Sequence, residues 1–441
     1  MEILVKTAQF ILSLSILIIL HEFGHYLFAK LFKTRVEKFY LFFNPWFSVF
    51  KFQKGETEYG MGWLPLGGYV KISGMIDESM DKEQMKEPPK PYEFRSKPAW
   101  QRLLIMLGGV LVNFLLALVI YSMMLFVWGE RYLPNQNVEY GIMVDSLATE
   151  IGLQNGDKIV ALDGEEVDDF FSISPNILLN EVKTITVKRD NASLQLDVPE
   201  SIIPAMIKTP SFIAPRIPFQ IAGFPKEGHT AKGTGLKEGD RIIGFNGKEV
   251  RFYDQVRDLL QKNKGKEVSL TVTQNGETRT VPVEVSDEGQ IGVMFDRSLD
   301  SFFELKTIKY GFFESIPAGI NKGVNTVKDY LKQFKLIFKP ETKAYESLGG
   351  FLKIGSFFPG TWDWRMFWNM TAFLSIILAV MNILPIPALD GGHVTFLLYE
   401  IVTGRKPGDK FLEYAQIVGM VILLSLLVFA NGNDIVQLLK K

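Results

Sequence analysis

The 441-residue chain has no cysteine and only four histidines. The first absence removes disulfides, thiolate metal sites and cysteine nucleophiles together. An excess of charge is missing too: 48 Lys and Arg stand against 49 Asp and Glu, for a formal net charge of −1. With no long basic run, nucleic acid is not an expected partner. What is abundant is apolar. A hydrophobic share of 47% and a positive mean hydropathy point to several membrane-spanning segments and not to one soluble core.

Four apolar segments are long enough to cross a bilayer: 8–29, Leu103–Trp128, Phe367–Leu389 and Phe411–Ala430. The first would be about 33 Å long as a helix. Its apolar part is too long for a cleavable signal peptide, and no small-residue cleavage site follows it. Lys30, Lys33, Arg35 and Lys38 follow the first segment, Arg95, Lys97 and Arg102 lie before or at the start of the second, and Arg405, Lys406 and Lys410 lie between the third and fourth. Those loops are expected on the cytoplasmic side, with both termini and the 129–365 section opposite, although Lys440 and Lys441 pull weakly the other way.

The middle of the chain repeats itself at an offset of 83 residues, "GLQNGDKIVALDGEEV" (152–167) falling on "GLKEGDRIIGFNGKEV" (235–250). A fixed-offset repeat means two copies of one small domain. Each copy reads as a Gly-Asp turn, a short strand, a tight Asp-Gly or Asn-Gly hairpin and a helical stretch, with "TITVKR" and "VSLTVTQNGETRTVPVEV" adding strands. The pattern resembles PDZ domains of the bacterial protease type, which implies binding of peptide ends by strand addition; a spacer or size filter would fit it as well. Beyond the copies, apolar residues from Ile308 to Phe338 recur at three- and four-residue spacing. This predicts an amphipathic helix, lying on the membrane surface or packed on the spans.

Against this apolar background "HEFGH", residues 21–25, sits inside the first span. An ionisable side chain at bilayer depth costs a few kcal/mol or more unless partnered, roughly, so a cluster of three is a hypothesis of function. His21 and His25 project from the same helix face one turn apart, within reach of one metal, and Glu22 lies beside them. This is the H-E-x-x-H arrangement, in which zinc lowers the pKa of a bound water to about 7 and the glutamate accepts its proton. A catalytic zinc takes three protein ligands. His229, in the second repeat, is expected on the wrong side of the membrane, which leaves His393 or a carboxylate. "NILPIPALDGGH", residues 382–393, offers Asp390, where Pro385 and Pro387 break the third span and a Gly-rich turn lets the carboxylate point back.

These two motifs, with the tandem repeats between spans two and three, resemble the site-2 protease family of intramembrane zinc metalloproteases, in particular its bacterial regulator-of-sigma-E type. The resemblance implies zinc held by His21, His25 and Asp390, Glu22 as catalytic base, and Asn382 and Pro387 against the substrate backbone. "LPLGGYVK", Leu64–Lys71, corresponds to a membrane-dipping β-loop whose Gly67, Gly68, Tyr69 and Val70 pair with the unwound substrate. Two departures stand out: the family's G-P-x-x-N reads "GVLVN" here, with Val110 for Pro but Asn113 kept, and G-G-P before the third span reads "GGF", with Phe351.

The expected fold is a polytopic α-helical membrane protein: four transmembrane helices, a membrane-dipping β-loop and two extracytoplasmic β-rich PDZ-like domains. Its sections are span one (1–30), a β-loop region (31–99), span two (100–128), PDZ-like copies (129–210 and 211–300), an amphipathic region (301–365), span three (366–390), and a loop with span four (391–441). The expected activity is zinc-dependent hydrolysis of peptide bonds within transmembrane segments of single-span proteins in a bacterial cytoplasmic membrane. Such substrates would be anti-sigma-factor-like proteins or remnant signal peptides, usually after a prior cut outside. The alternative is a non-catalytic membrane scaffold or chaperone that binds through its PDZ-like domains.

Overall fold

The computed structural model of the protein describes residues 1–65, 67–75, 87–209, 211–225, 231 and 233–439. His229, Lys440 and Lys441 lie outside the described residues, as does Leu66 of the LPLGGYVK stretch. The chain forms two compact units, Met1–Gly129 with Lys309–Lys335 and Tyr345–Lys441, and Glu130–Ile308 with Leu336–Ala344.

The first unit contains helices α1 (Glu2–Leu31), α2 (Ala99–Trp128), α3 (Phe312–Ile337, as far as Lys335), α4 (Trp364–Asn382), α5 (Asp390–Thr403) and α6 (Asp409–Leu439). Of these, α1, α2, α4 and α6 are long and apolar enough to cross a membrane. Helix α4 ends at Asn382, ahead of Pro385 and Pro387, which have no N–H to continue it. Asp390, expected in a Gly-rich turn, instead opens α5.

Helices α1 and α2 cross with their backbones in contact, since a Cβ on Gly24 would collide with the Gly108 carbonyl. Without a hydrophobic drive between helices in lipid, such small-residue contacts and interhelical hydrogen bonds hold a bundle together. The Ser13 and Thr371 hydroxyls lie 3.0 Å apart between α1 and α4, and Ser375 Oγ donates to the Asn113 carbonyl of α2 at 2.7 Å. Helix α3 rests on α2, with Gly319 and Gly323 against Ser122 and Leu118. Of the two placements open to the amphipathic helix, it takes the one against a span.

Between α1 and α2 the chain folds into β1 (Val36–Leu41), β2 (Phe50–Lys54), β3 (Thr57–Met61) and β4 (Tyr69–Ile72), in the sheet order β2-β3-β1-β4. Among the described residues β4 pairs with β1 and stands last in the sheet order. The Tyr40 hydroxyl donates to Glu58 Oε1 at 2.8 Å across the sheet, a bond that holds the Glu58 carboxyl below its usual range.

The second unit holds two four-stranded sheets of matching order. Strands β5 (Lys158–Leu162), β6 (Glu165–Glu166), β7 (Thr184–Arg189) and β8 (Ala192–Asp197) form a sheet of order β6-β5-β7-β8. In the second copy β9 (Arg241–Phe245), β10 (Lys248–Glu249), β11 (Glu267–Gln274) and β12 (Glu277–Glu284) take the same order, β10-β9-β11-β12. Both hairpins turn through left-handed pairs, Asp163-Gly164 and Asn246-Gly247, as two-residue turns of this kind require. Each Gly-Asp turn aspartate is buried and ion-paired, but to arginines from different strands, Asp157 with Arg189 of β7 and Asp240 with Arg279 of β12. The first copy reaches past residue 210, because Ile213–Pro215 pairs with Ile142–Val144. The unit closes where Lys306–Ile308 pairs with Glu130–Tyr132. These three-residue strands carry no repeat signal.

The α1–α2 contact yields a direct test. Gly24→Ala is expected to destabilise the detergent-solubilised chain by about 1–3 kcal/mol, the usual cost of overpacking. Gly432→Ala in α6, where a Cβ meets open space, should leave the unfolding midpoint in place. Equal midpoints for the two variants would contradict the close crossing.

Candidate metal centre

Helical periodicity puts His21 and His25 on one side of α1, where their rings meet edge to face with centroids 4.9 Å apart. The broken segment after α4 brings the third group. Its backbone runs through Ala388 at φ 89°, a left-handed conformation costing a non-glycine residue about 1–3 kcal/mol, and the surrounding packing must hold it. Part of that packing is Gly419 of α6, which sits directly on the Pro387 carbonyl with no room for a Cβ. From this clamped loop Asp390 emerges at the start of α5.

Among the described residues, His21, His25 and Asp390 form the one group placed to share a metal ion. The Nε2 atoms of the two histidines are 3.3 Å apart, and Asp390 Oδ2 lies 3.2 Å from His21 Nε2 and 3.3 Å from His25 Nε2. A tetrahedral zinc bonded at about 2.0–2.1 Å separates any two of its ligand atoms by about 3.3–3.4 Å, so the triangle has the size the ion needs. Asp390 Oδ2 is buried and has no hydrogen bond of its own beyond facing these two nitrogens. His25 Nδ1 lies 2.9 Å from the Ile105 carbonyl of α2. A carbonyl can only accept, so the hydrogen sits on Nδ1 and Nε2 keeps the lone pair a metal requires.

The other residues singled out in the sequence fall around this triangle. Glu22, Tyr69 and Val70 line the same cavity of about 400 Å³ as the three candidate ligands. Gly68 is also in its wall, close-packed on Ile18 and the Glu22 side chain of α1. Asn382 reaches His21 with its amide nitrogen, 3.2 Å from Nε2, and Asn113 lies on the other side of the ring, 3.4 Å from Nδ1. Gly67 and Pro387 are not in the cavity wall: Gly67 packs on the Phe43 ring and Pro387 on Gly392 and Gly419. His393, the alternative ligand weighed above, sits in the wall three residues beyond Asp390 and also borders a smaller neighbouring cavity.

Three contributors went unread in the sequence. The Ile105 carbonyl is backbone and has no sequence signal. Gly109 packs on both imidazoles, a Cβ there falling 2.5 Å from His25 Nε2 and 2.6 Å from His21 Cε1. Its signal was the Gly108-Gly109 pair in an otherwise apolar helix. Gln416 of α6 lines the cavity, and a lone Gln in an apolar span could have marked it.

The chain matches the model of peptidase family M50 over residues 9–426. It is similar to a Neisseria meningitidis protein whose name provisionally calls it a zinc metalloprotease, at 30% identity over 98% of each chain. It is likewise similar to the regulator of sigma E protease of Haemophilus influenzae, at 28% identity over 99% of this chain and 100% of the relative. Protease RseP of Yersinia pestis is 29% identical with the same coverage. Matched from its first helix into its last, the chain belongs to peptidase family M50, the site-2 family of zinc metalloproteases.

Proposed function

We propose that this zinc metalloprotease cuts peptide bonds within the transmembrane segments of single-span membrane proteins. The observation that carries the reading is the placement of Glu22 and the His21–His25–Asp390 triangle in one cavity whose wall includes Tyr69 and Val70 of strand β4. A helical peptide bond is shielded by its own hydrogen bonds and has to be opened before hydrolysis. An extended substrate added to β4 beside Tyr69 and Val70 would recover those bonds from the strand's backbone. Asn382 and Pro387 would complete the seat for the substrate backbone.

His21, His25 and Asp390 would hold the zinc, whose chemistry when bound is Lewis-acid polarisation of a carbonyl and acidification of water. Glu22 has the remaining task. Its carboxylate takes a proton from the attacking water and later passes it to the leaving amine, the general base and acid roles of one group. Asn382 supplies an amide N–H beside the triangle, suited to the oxygen on which charge develops.

The distribution of Lys and Arg supports the catalytic cavity near the cytoplasmic face of a bacterial inner membrane, with the repeat unit outside. In that arrangement the two PDZ-like copies would bind peptide ends or exclude substrates with bulky outer domains, so that cutting follows a prior trim. Relatives named for the regulation of sigma E favour anti-sigma-factor-like proteins as substrates, with remnant signal peptides as a second source.

Two measurements test the reading. Wild-type protein in membranes should cleave tagged single-span substrates, some trimmed outside, while Glu22→Gln should lose activity by a factor of about 10² or more; equal cleavage by both would overturn the proposal. Purified wild-type and Glu22→Gln chains should both carry a zinc ion that His25→Ala and Asp390→Ala lose. Full metal content in either ligand variant would contradict the triangle.

A further inference from the structure

A neutral imidazole offers one N–H and one lone pair, and the ring nitrogen that binds a metal must be the one without hydrogen. For His25 the Ile105 carbonyl decides this. For His21 the neighbour at Nδ1 is the Asn113 carboxamide, a group with one donor end and one acceptor end of nearly equal size. With the Asn113 nitrogen toward the ring, two amide donors face one imidazole, Asn113 Nδ2 at Nδ1 and Asn382 Nδ2 at Nε2. A neutral ring accepts only one of them. In that orientation Asn113 Oδ1 is also left buried with no hydrogen-bond partner.

Turning the carboxamide over resolves both conflicts. Its oxygen then meets His21 Nδ1–H, and Nε2, carrying no hydrogen, faces His25, Asp390 and the Asn382 amide. We infer that Asn113 is a positioning residue: its side-chain oxygen accepts from His21 Nδ1 and fixes the tautomer in which Nε2 serves as metal ligand. The inference rests on the triangle being a metal site. Its setting is rigid. Asn113 is fully buried, its backbone carbonyl accepts from Ser375 of α4, and Gly109 one turn earlier leaves the space the two rings fill. A single helix, α2, thereby orients both imidazoles of α1, one through a main-chain oxygen and one through a side-chain oxygen. Such outer partners are usually worth 10- to 100-fold in metal affinity.

The test is zinc affinity of the detergent-purified full chain by competition with a chromogenic chelator, together with the absorption spectrum of the cobalt-loaded protein. Asn113→Leu, similar in size but without an acceptor, should bind zinc about 10- to 100-fold more weakly and show a changed cobalt spectrum. Asn113→Asp, whose carboxylate can only accept from Nδ1–H, should match or exceed wild-type affinity. Ser375→Ala removes the helix-to-helix bond and leaves the Asn113 amide in place, so it should stay close to wild type. Wild-type affinity and spectrum in Asn113→Leu would overturn the inference, as would a tenfold or greater loss in Asn113→Asp, which stands even if the leucine variant fails to fold. Failure of the wild-type chain to bind zinc would instead remove the metal reading on which the inference rests.

Discussion

Charge has to be partnered where water is scarce, and this constraint organises the first unit. Two imidazoles and a carboxylate converge at one point among helices packed largely through Gly, Ser, Thr and apolar side chains. Each would be costly alone in an apolar bundle. Together, at separations close to 3.3 Å, they make a candidate socket for a divalent ion, which would offset the carboxylate charge and bind both lone pairs.

The rest of the unit serves that convergence. Contact between Gly24 and Gly108 brings α2 close enough for Ile105 and Asn113 to reach the rings of α1. The proline-broken segment ends α4 at the level where Asn382 meets His21, and α6 clamps the loop from which Asp390 is presented. In the wall of the same cavity stand Tyr69 and Val70 of β4, last in the order of the four-stranded sheet, so the candidate metal centre and the strand proposed to receive an extended peptide lie side by side. Water activation and strand pairing are the two requirements of hydrolysing a helical segment in a bilayer.

Much of this was legible in the sequence because it is written in rare residues. Histidine and glutamate inside an apolar run, or two prolines and an aspartate after another, cannot be mistaken for ordinary span composition. The repeat was equally readable, since Gly-Asp turns and Asp-Gly or Asn-Gly hairpins encode backbone conformation directly. Backbone contributions were not legible. The Ile105 carbonyl could be supplied by any residue, three-residue strands such as Ile213–Pro215 have too little length for a period, and the start of α5 at Asp390 depends on packing around Ala388. Asn113 could be noted as a kept motif position, but its task emerges only when the His21 ring is beside it. The ion pairs of Asp157 and Asp240 show the same limit: the aspartates repeat in the sequence, while the arginines that meet them come from different strands.

Zinc K-edge absorption on the purified full-length chain tests the central claim most directly. It should show a first shell of light atoms at about 2.0–2.2 Å with the outer scattering of two imidazoles. A shell without imidazole scattering, or with a single histidine, would contradict a metal shared by His21, His25 and Asp390.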